Sequence, residues 1–273
     1  MTTFGDWEFL PEDVLASALS HLSLRSVLRA AQTCTRWWDV VHRRNEPWQL
    51  FVYRDLMYTR RRYTTHGGWQ RSIDHWKLRL LIMEASRKWR HIVVKPVVHL
   101  SNLYEFMRVL TNFTEYYERA AVERPLAGVK SFEFDWLLCL PAAPSWTTQA
   151  AKRPTPTSTA DFRLFGTGGQ VLEKLDELIS HLFGLRTLAI RQLQLESKEA
   201  QTFMDHLVQY FGESLQTLTI VNLTKYEQSF LHLGLFLKLQ KLVVSPQHLN
   251  DDVVFLLANC SLLQTIVIIQ VWP

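Results

Sequence analysis

The chain has 273 residues, 47% of them apolar and 21% charged, a balance that excludes global disorder and allows one large domain or two ordinary ones. A formal charge of +4 with pI near 9.0 is too mild at this length to argue for nucleic-acid binding. Cys34, Cys139 and Cys260 are odd in number and far apart, so they offer no disulfide framework and no metal knuckle.

The opening "MTTFGDWEFLPED" is acidic and lacks a basic stretch followed by an apolar one, so it does not read as a secretory signal. No apolar run approaches the ~20 residues a membrane span needs. The expected setting is therefore the cytoplasm, the nucleus or both, with reduced thiols and no membrane.

From Leu10 to Val41 the apolar residues recur at helical spacing in three short groups. The first, Val14, Leu15, Ala18, Leu19 and Leu22, follows Pro11 and the acids Glu12 and Asp13, which suit a helix N-terminus. Ser23 stands as N-cap before the second, Leu24, Val27, Leu28 and Ala31. Thr33 and Thr35 are cap candidates for the third, Trp37, Val40 and Val41. Three helices in so short a span bury little by themselves, and with no metal or disulfide at hand a protein partner is the economical completion. Trp38, Trp48 and the aliphatics around Leu10 and Pro11 are then surface kept for that partner.

These residues resemble the F-box family. "LPEDVL" (Leu10 to Leu15), "LSLRSVLRAA" (Leu22 to Ala31), "CTRW" (Cys34 to Trp37) and "EPW" (Glu46 to Trp48) stand in the order and spacing of that motif. Trp38 departs from it and is expected to wedge against the 49–58 segment.

The next segment, 51–88, reads as a helical connector: Phe51, Val52 and Leu56 form one stripe and Ile73, Trp76, Leu80 and Met83 another, with a break at His66 to Gly68. The basic run "YTRRRY" around Arg61 reads as a solvated loop.

Beyond it the template L-x-x-L-x-I recurs, its alternation implying strands. "LRTLAI", "LQTLTI", "LQKLVV" and "LQTIVI" start at Leu185, Leu215, Leu239 and Leu263, so they are spaced by 30, 24 and 24 residues. Weaker copies are "WRHIVV" from Trp89 and "VKSFEF" from Val129. Helical patterns lie between them, such as Ala200, Phe203, Met204, Leu207 and Phe211. The whole resembles a leucine-rich-repeat array, and "LNDDVVFLLANCSLLQTIVI" (Leu249 to Ile268) resembles the cysteine-containing subtype, in which Cys260 packs structurally. Departures are Leu193 at the usual Asn/Cys position and a Pro/Thr-rich insertion near 141–169, which contains the phosphorylation candidate Thr155. The chain stops at "IIQVWP", directly after a strand, which suggests a shortened array, or an end closed by Trp272 or by a partner.

The expected fold class is α/β. It comprises a three-helix F-box at 7–50, the connector at 51–88 and a leucine-rich-repeat solenoid of about six units at 89–273, with a parallel strand array. No phosphate loop, dinucleotide fingerprint, nucleophile elbow or metal-binding histidine pair occurs, so no catalytic residue, cofactor or metal is expected. The resemblance implies a non-catalytic substrate receptor of an SCF-type cullin–RING ubiquitin ligase. Its F-box would dock on a Skp-type adaptor, and through it a cullin, while the repeats hold an unknown target protein. It assigns the adaptor-binding and bundle-forming role to Leu10, Pro11, Leu15, Leu24, Val27, Leu28, Cys34, Trp37 and Trp48. Candidate target-facing residues on the strands are Arg186, Gln216, Gln240 and Lys241.

Overall fold

A computed structural model describes residues 10–53, 59–65, 68–73, 75–95, 100–120, 124–136, 168–224, 226–249 and 253–270. Its centre is a parallel sheet of seven strands: β1 (Leu50–Tyr53), β4 (His91–Val94), β5 (Ser131–Asp135), β6 (Thr187–Arg191), β7 (Thr217–Val221), β8 (Lys241–Val244) and β9 (Thr265–Ile268). They lie side by side in chain order, and the sheet is open. The expected α/β class and parallel strand array are present, as an open sheet with β1 and β9 at its edges. Because every step goes to the next strand in one direction and parallel crossovers are right-handed, all connections fall on one face.

All six strands expected from the template form, and in matching register. His91 pairs with Ser131, Ser131 with Thr187, Thr187 with Thr217, Thr217 with Lys241, and Lys241 with Thr265. From β4 to β8 the fourth and sixth template positions, such as Leu188 and Ile190 or Leu218 and Ile220, are buried, whereas in β9 Ile266 is half-buried and Ile268 exposed. Strand β1 extends the same register by pairing Phe51 with Ile92.

On the covered face lie α4 (His75–Ala85), α5 (Leu100–Arg119), α6 (Gly168–Ser180), α7 (Ser197–Phe211) and the short α8 (Val253–Asn259). Consecutive helices from α4 to α7 touch. The stripe expected on α7, from Ala200 to Phe211, is buried throughout. Histidine–carboxylate contacts tie neighbouring units: His181 Nδ1 lies 3.0 Å from Glu118, His206 Nδ1 2.7 Å from Asp176, and His232 Nε2 2.8 Å from Asp205. Cys260 is buried, its thiol donating towards the Leu233 and Phe236 carbonyls. Burial pushes that thiol above its ordinary pKa, away from the reactive thiolate form.

Segment 51–88 differs from the helical connector expected of it. It opens in strand β1 and continues as an antiparallel hairpin, β2 (Thr59–Thr65) and β3 (Gly68–Ile73), so Thr59 to Tyr63 of the basic run are strand rather than loop. Among the described residues of this segment, only α4 and the following turn at Ser86–Lys88 are helical. On α4 the expected face is also reversed. Leu78, Ile82 and Ala85 are buried, whereas Trp76, Leu80 and Met83 are exposed. His66, Thr155, most of the 141–169 insertion and Trp272 fall outside the described residues.

At the carboxyl ends of the strands a polar network takes over where the usual Asn/Cys was missing. Leu193 is buried there, flanked by Gln192 and Gln194 at φ of 61° and 50°. The Asn222 amide donates to Ser245 Oγ at 2.8 Å, and the Leu223 amide donates to His248 Nε2 at 3.0 Å. His248 Nδ1 must then carry the proton, and donates to the Gln228 carbonyl at 3.0 Å. Burial holds this imidazole below its ordinary pKa, the Gln228 contact pulling weakly the other way. The unfolded chain therefore takes up a proton near pH ~6.5 that the folded chain refuses. The stability this neutral histidine contributes is present above that pH and is lost as pH falls towards the depressed folded value. We expect the fall in Tm between about pH 7 and about pH 5 to shrink in His248→Gln, whose amide keeps an acceptor and a donor; equal pH slopes in the two proteins would contradict this.

Candidate functional site

The amino-terminal trio is built as its sequence demands. Helix α1 (Glu12–Ser20) starts at Pro11, whose carbonyl accepts the first helical hydrogen bond, from the Leu15 amide at 3.0 Å. Helix α2 (Leu24–Ala30) is capped by Ser23, whose Oγ accepts from the Ser26 amide at 3.3 Å. Helix α3 (Thr35–Arg43) is preceded by Cys34 as its N-cap residue, without a side-chain bond. The expected cap Thr33 instead closes the end of α2, donating to the Ala30 carbonyl at 2.7 Å.

Four long side chains lock these helices. Arg36 donates to the Leu10 carbonyl, and Arg44 bonds Asp13 and Glu46. Trp48, on the short turn Glu46–Trp48, donates its indole N–H to the Val41 carbonyl at 2.6 Å. Lys88 donates to the His42 carbonyl at 2.8 Å and lies 5.8 Å from the centre of the Trp48 ring. Partial burial lowers the Lys88 pKa from its ordinary value, against the pull of Glu84.

This framework divides the nine residues assigned by resemblance. Leu15, Val27 and Trp48 are core. Leu10, Leu24 and Trp37 are half-buried, and Pro11, Leu28 and Cys34 are exposed. Outward-facing apolar surface also includes Val14, Leu22 and Trp38, between 43% and 51% exposed, which are too large and too close in sequence to dismiss as scattered residues. Sequence reasoning placed Val14 and Leu22 among the helix-forming residues and missed them as surface. The available signal was a second stripe at helical spacing, Val14 and Ala18 on α1 and Leu22 just past its end, beside the buried Leu15 and Leu19. Trp38 is 51% exposed, and residues 54–58 of the segment expected beside it lie outside the described residues. Its ring stacks on His42, centroids 3.7 Å apart, and the rest of it stays open.

The trio is continuous with the sheet. Phe51 on β1 stacks on Trp89 at 4.2 Å, and Phe106 of α5 lies 5.6 Å from Phe51 and 4.6 Å from Tyr53. One buried apolar cluster runs from Leu15 to Cys260.

Of the target-facing candidates, Arg186, Gln240 and Lys241 are exposed and Gln216 is half-buried, all at the amino ends of strands β6 to β8. Among the described residues, no group of three His, Cys, Asp or Glu side chains could hold a metal ion, and no helix is long and apolar enough to cross a membrane.

No curated protein matches the chain. Residues 7–56 match the F-box-like family model, a stretch that spans α1, α2, α3, the Trp48 turn and β1. The chain therefore carries an F-box-like domain at its amino end, set directly against a seven-stranded parallel sheet.

Proposed function

We propose that this chain is the substrate-recognition subunit of an SCF-type cullin–RING ubiquitin ligase, with the F-box-like domain docking on a Skp-type adaptor and the sheet domain, read as leucine-rich repeats, holding the target. F-box domains generally bind such adaptors and usually belong to non-catalytic receptors. One observation carries the reading: the F-box-like domain is present, its described apolar residues divided into a core and an exposed set. The chain's contribution to the reaction is geometric. It raises the effective concentration of a target lysine near the charged conjugating enzyme, so a stiff path from adaptor to target matters. The aromatic cluster of Phe51, Trp89, Phe106 and Tyr53 supplies that stiffness.

The repeat reading is supported by the shared register of the six template strands and the stacking of one helical unit on the next. The proposed setting is the cytoplasm, the nucleus or both. Co-precipitation of the full chain is the direct test. Wild type should bring down the adaptor and neddylated cullin, and the pair Leu10→Ala with Pro11→Ala should bring down neither while keeping its Tm. Equal capture by the two forms would reject the assignment.

A further inference from the structure

The residue just before each strand joins its neighbours in a repeated hydrogen-bond step. The Arg90 carbonyl accepts from the Lys130 and Ser131 amides, the Lys130 carbonyl from Arg186 and Thr187, and the Arg186 carbonyl from Gln216 and Thr217. The Gln216 carbonyl accepts from Gln240 and Lys241, and the Gln240 carbonyl from Gln264 and Thr265. These steps align Arg90, Lys130, Arg186, Gln216, Gln240 and Gln264 in one row along the amino-terminal rim of the sheet, spaced by the ~4.8 Å of neighbouring strands.

Charge is distributed unevenly over this rim. Three consecutive members are cations and none is a carboxylate; the adjoining row, from His91 to Thr265, adds Lys241 and again no carboxylate. Glu133 and Asp135 stand further along β5, and Glu133 is already engaged by Arg191 at 3.3 Å. Arg90, Lys130, Arg186 and Lys241 take part in no ion pair among the described residues. Two of them are also held in place. The Arg90 guanidinium lies across Gly128, where a side chain would collide with it. Lys130 Nζ lies over Gly184 and donates to its carbonyl at 3.4 Å. Beside them the Arg124 guanidinium covers the exposed Phe183 ring at 4.7 Å, adding a fifth cation.

Such a row is a binding edge rather than a solvated charge run. Its stems are fixed by the fold, its charges are unspent, and the glutamines and threonines that extend it offer the donors and acceptors a peptide backbone needs. We infer that this rim docks an acidic, Asp/Glu-rich segment of a protein partner, its carboxylates on Arg90, Lys130, Arg186 and Lys241 and its backbone amides on the Gln216–Gln264 end. A nucleic acid fits less well, because the exposed Phe183 beside the row already has a guanidinium on it and is not open for base stacking. The inference deepens the proposed function by giving the target surface a chemistry, and it rests on that reading.

The test is fluorescence anisotropy of a short labelled poly-glutamate peptide against the full chain, with adaptor capture run in parallel on the same preparation. Wild type should bind, with affinity that falls as salt rises. The exposed pair Arg186→Glu with Lys241→Glu should weaken binding at least about tenfold, through lost attraction and added repulsion. The milder pair Arg186→Gln with Lys241→Gln should fall between, and adaptor capture should be unchanged in both. Absence of poly-glutamate binding, affinity indifferent to the substitutions or to salt, or tighter binding of random duplex DNA at equal charge would each overturn the inference while leaving the adaptor assignment standing. Failure of wild type to capture the adaptor would instead strike the underlying functional reading.

Discussion

Replacing Trp89 by alanine should lower the melting temperature by on the order of 10 °C and split one cooperative transition into two. The indole is 1% exposed and stacks on Phe51 at 4.2 Å, so its removal opens a cavity between the end of the F-box-like domain and the sheet. Truncating a buried tryptophan costs about 3–5 kcal/mol, and at this chain length each kcal/mol moves the midpoint by about 2–4 °C. The splitting has a separate cause: Phe51, Trp89 and Phe106 are the seam through which the two parts melt together. Calorimetry of the full chain with and without adaptor reads both effects. Trp89→Phe should restore a single transition, because a smaller ring can still lie against Phe51. One unshifted transition in Trp89→Ala would show that the seam contributes little.

The second large effect concerns binding and should leave folding alone. Val14 and Leu28 are 49% and 43% exposed on α1 and α2, so placing aspartate at both should change stability by no more than about 0.5 kcal/mol per site. In a docked complex the same change would bury two unpaired carboxylates in an apolar contact, and adaptor affinity should fall by at least about a hundredfold. Leu15→Asp serves as the contrast. That side chain is fully buried, so it should abolish capture by unfolding the trio, with a collapsed melt to show for it. Capture that survives Val14→Asp with Leu28→Asp would move the docking surface elsewhere on the domain.

How far the sequence reached follows from what periodicity can and cannot encode. The six strands from "WRHIVV" to "LQTIVI" were readable because alternation fixes both the element and the inward face, and a common template fixes the register. Strand β1 was not, since four residues behind a helical turn carry too little pattern. Helix α5 was passed over because Thr111 and Thr114, both buried, interrupt its apolar stripe. On α4 two stripes were available, and periodicity gives a period without a phase. The heavier one, with Trp76, proved to be the outer one. The same limit governed the candidate site. Residue types and spacing identified the helical trio and offered a second stripe through Val14, yet a stripe alone does not say whether Leu15 or Val14, Val27 or Leu28, faces inward. That distinction comes from where Trp48, Arg36 and Arg44 pin the helices against each other.

The strict chain order of the sheet reaches back to the protein's birth on the ribosome. Each strand finds its partner in the unit made just before it, so no early segment has to wait, sticky and unpaired, for a late one. The growing chain can lay down its sheet one plank at a time, starting from the edge that the F-box-like domain already carries.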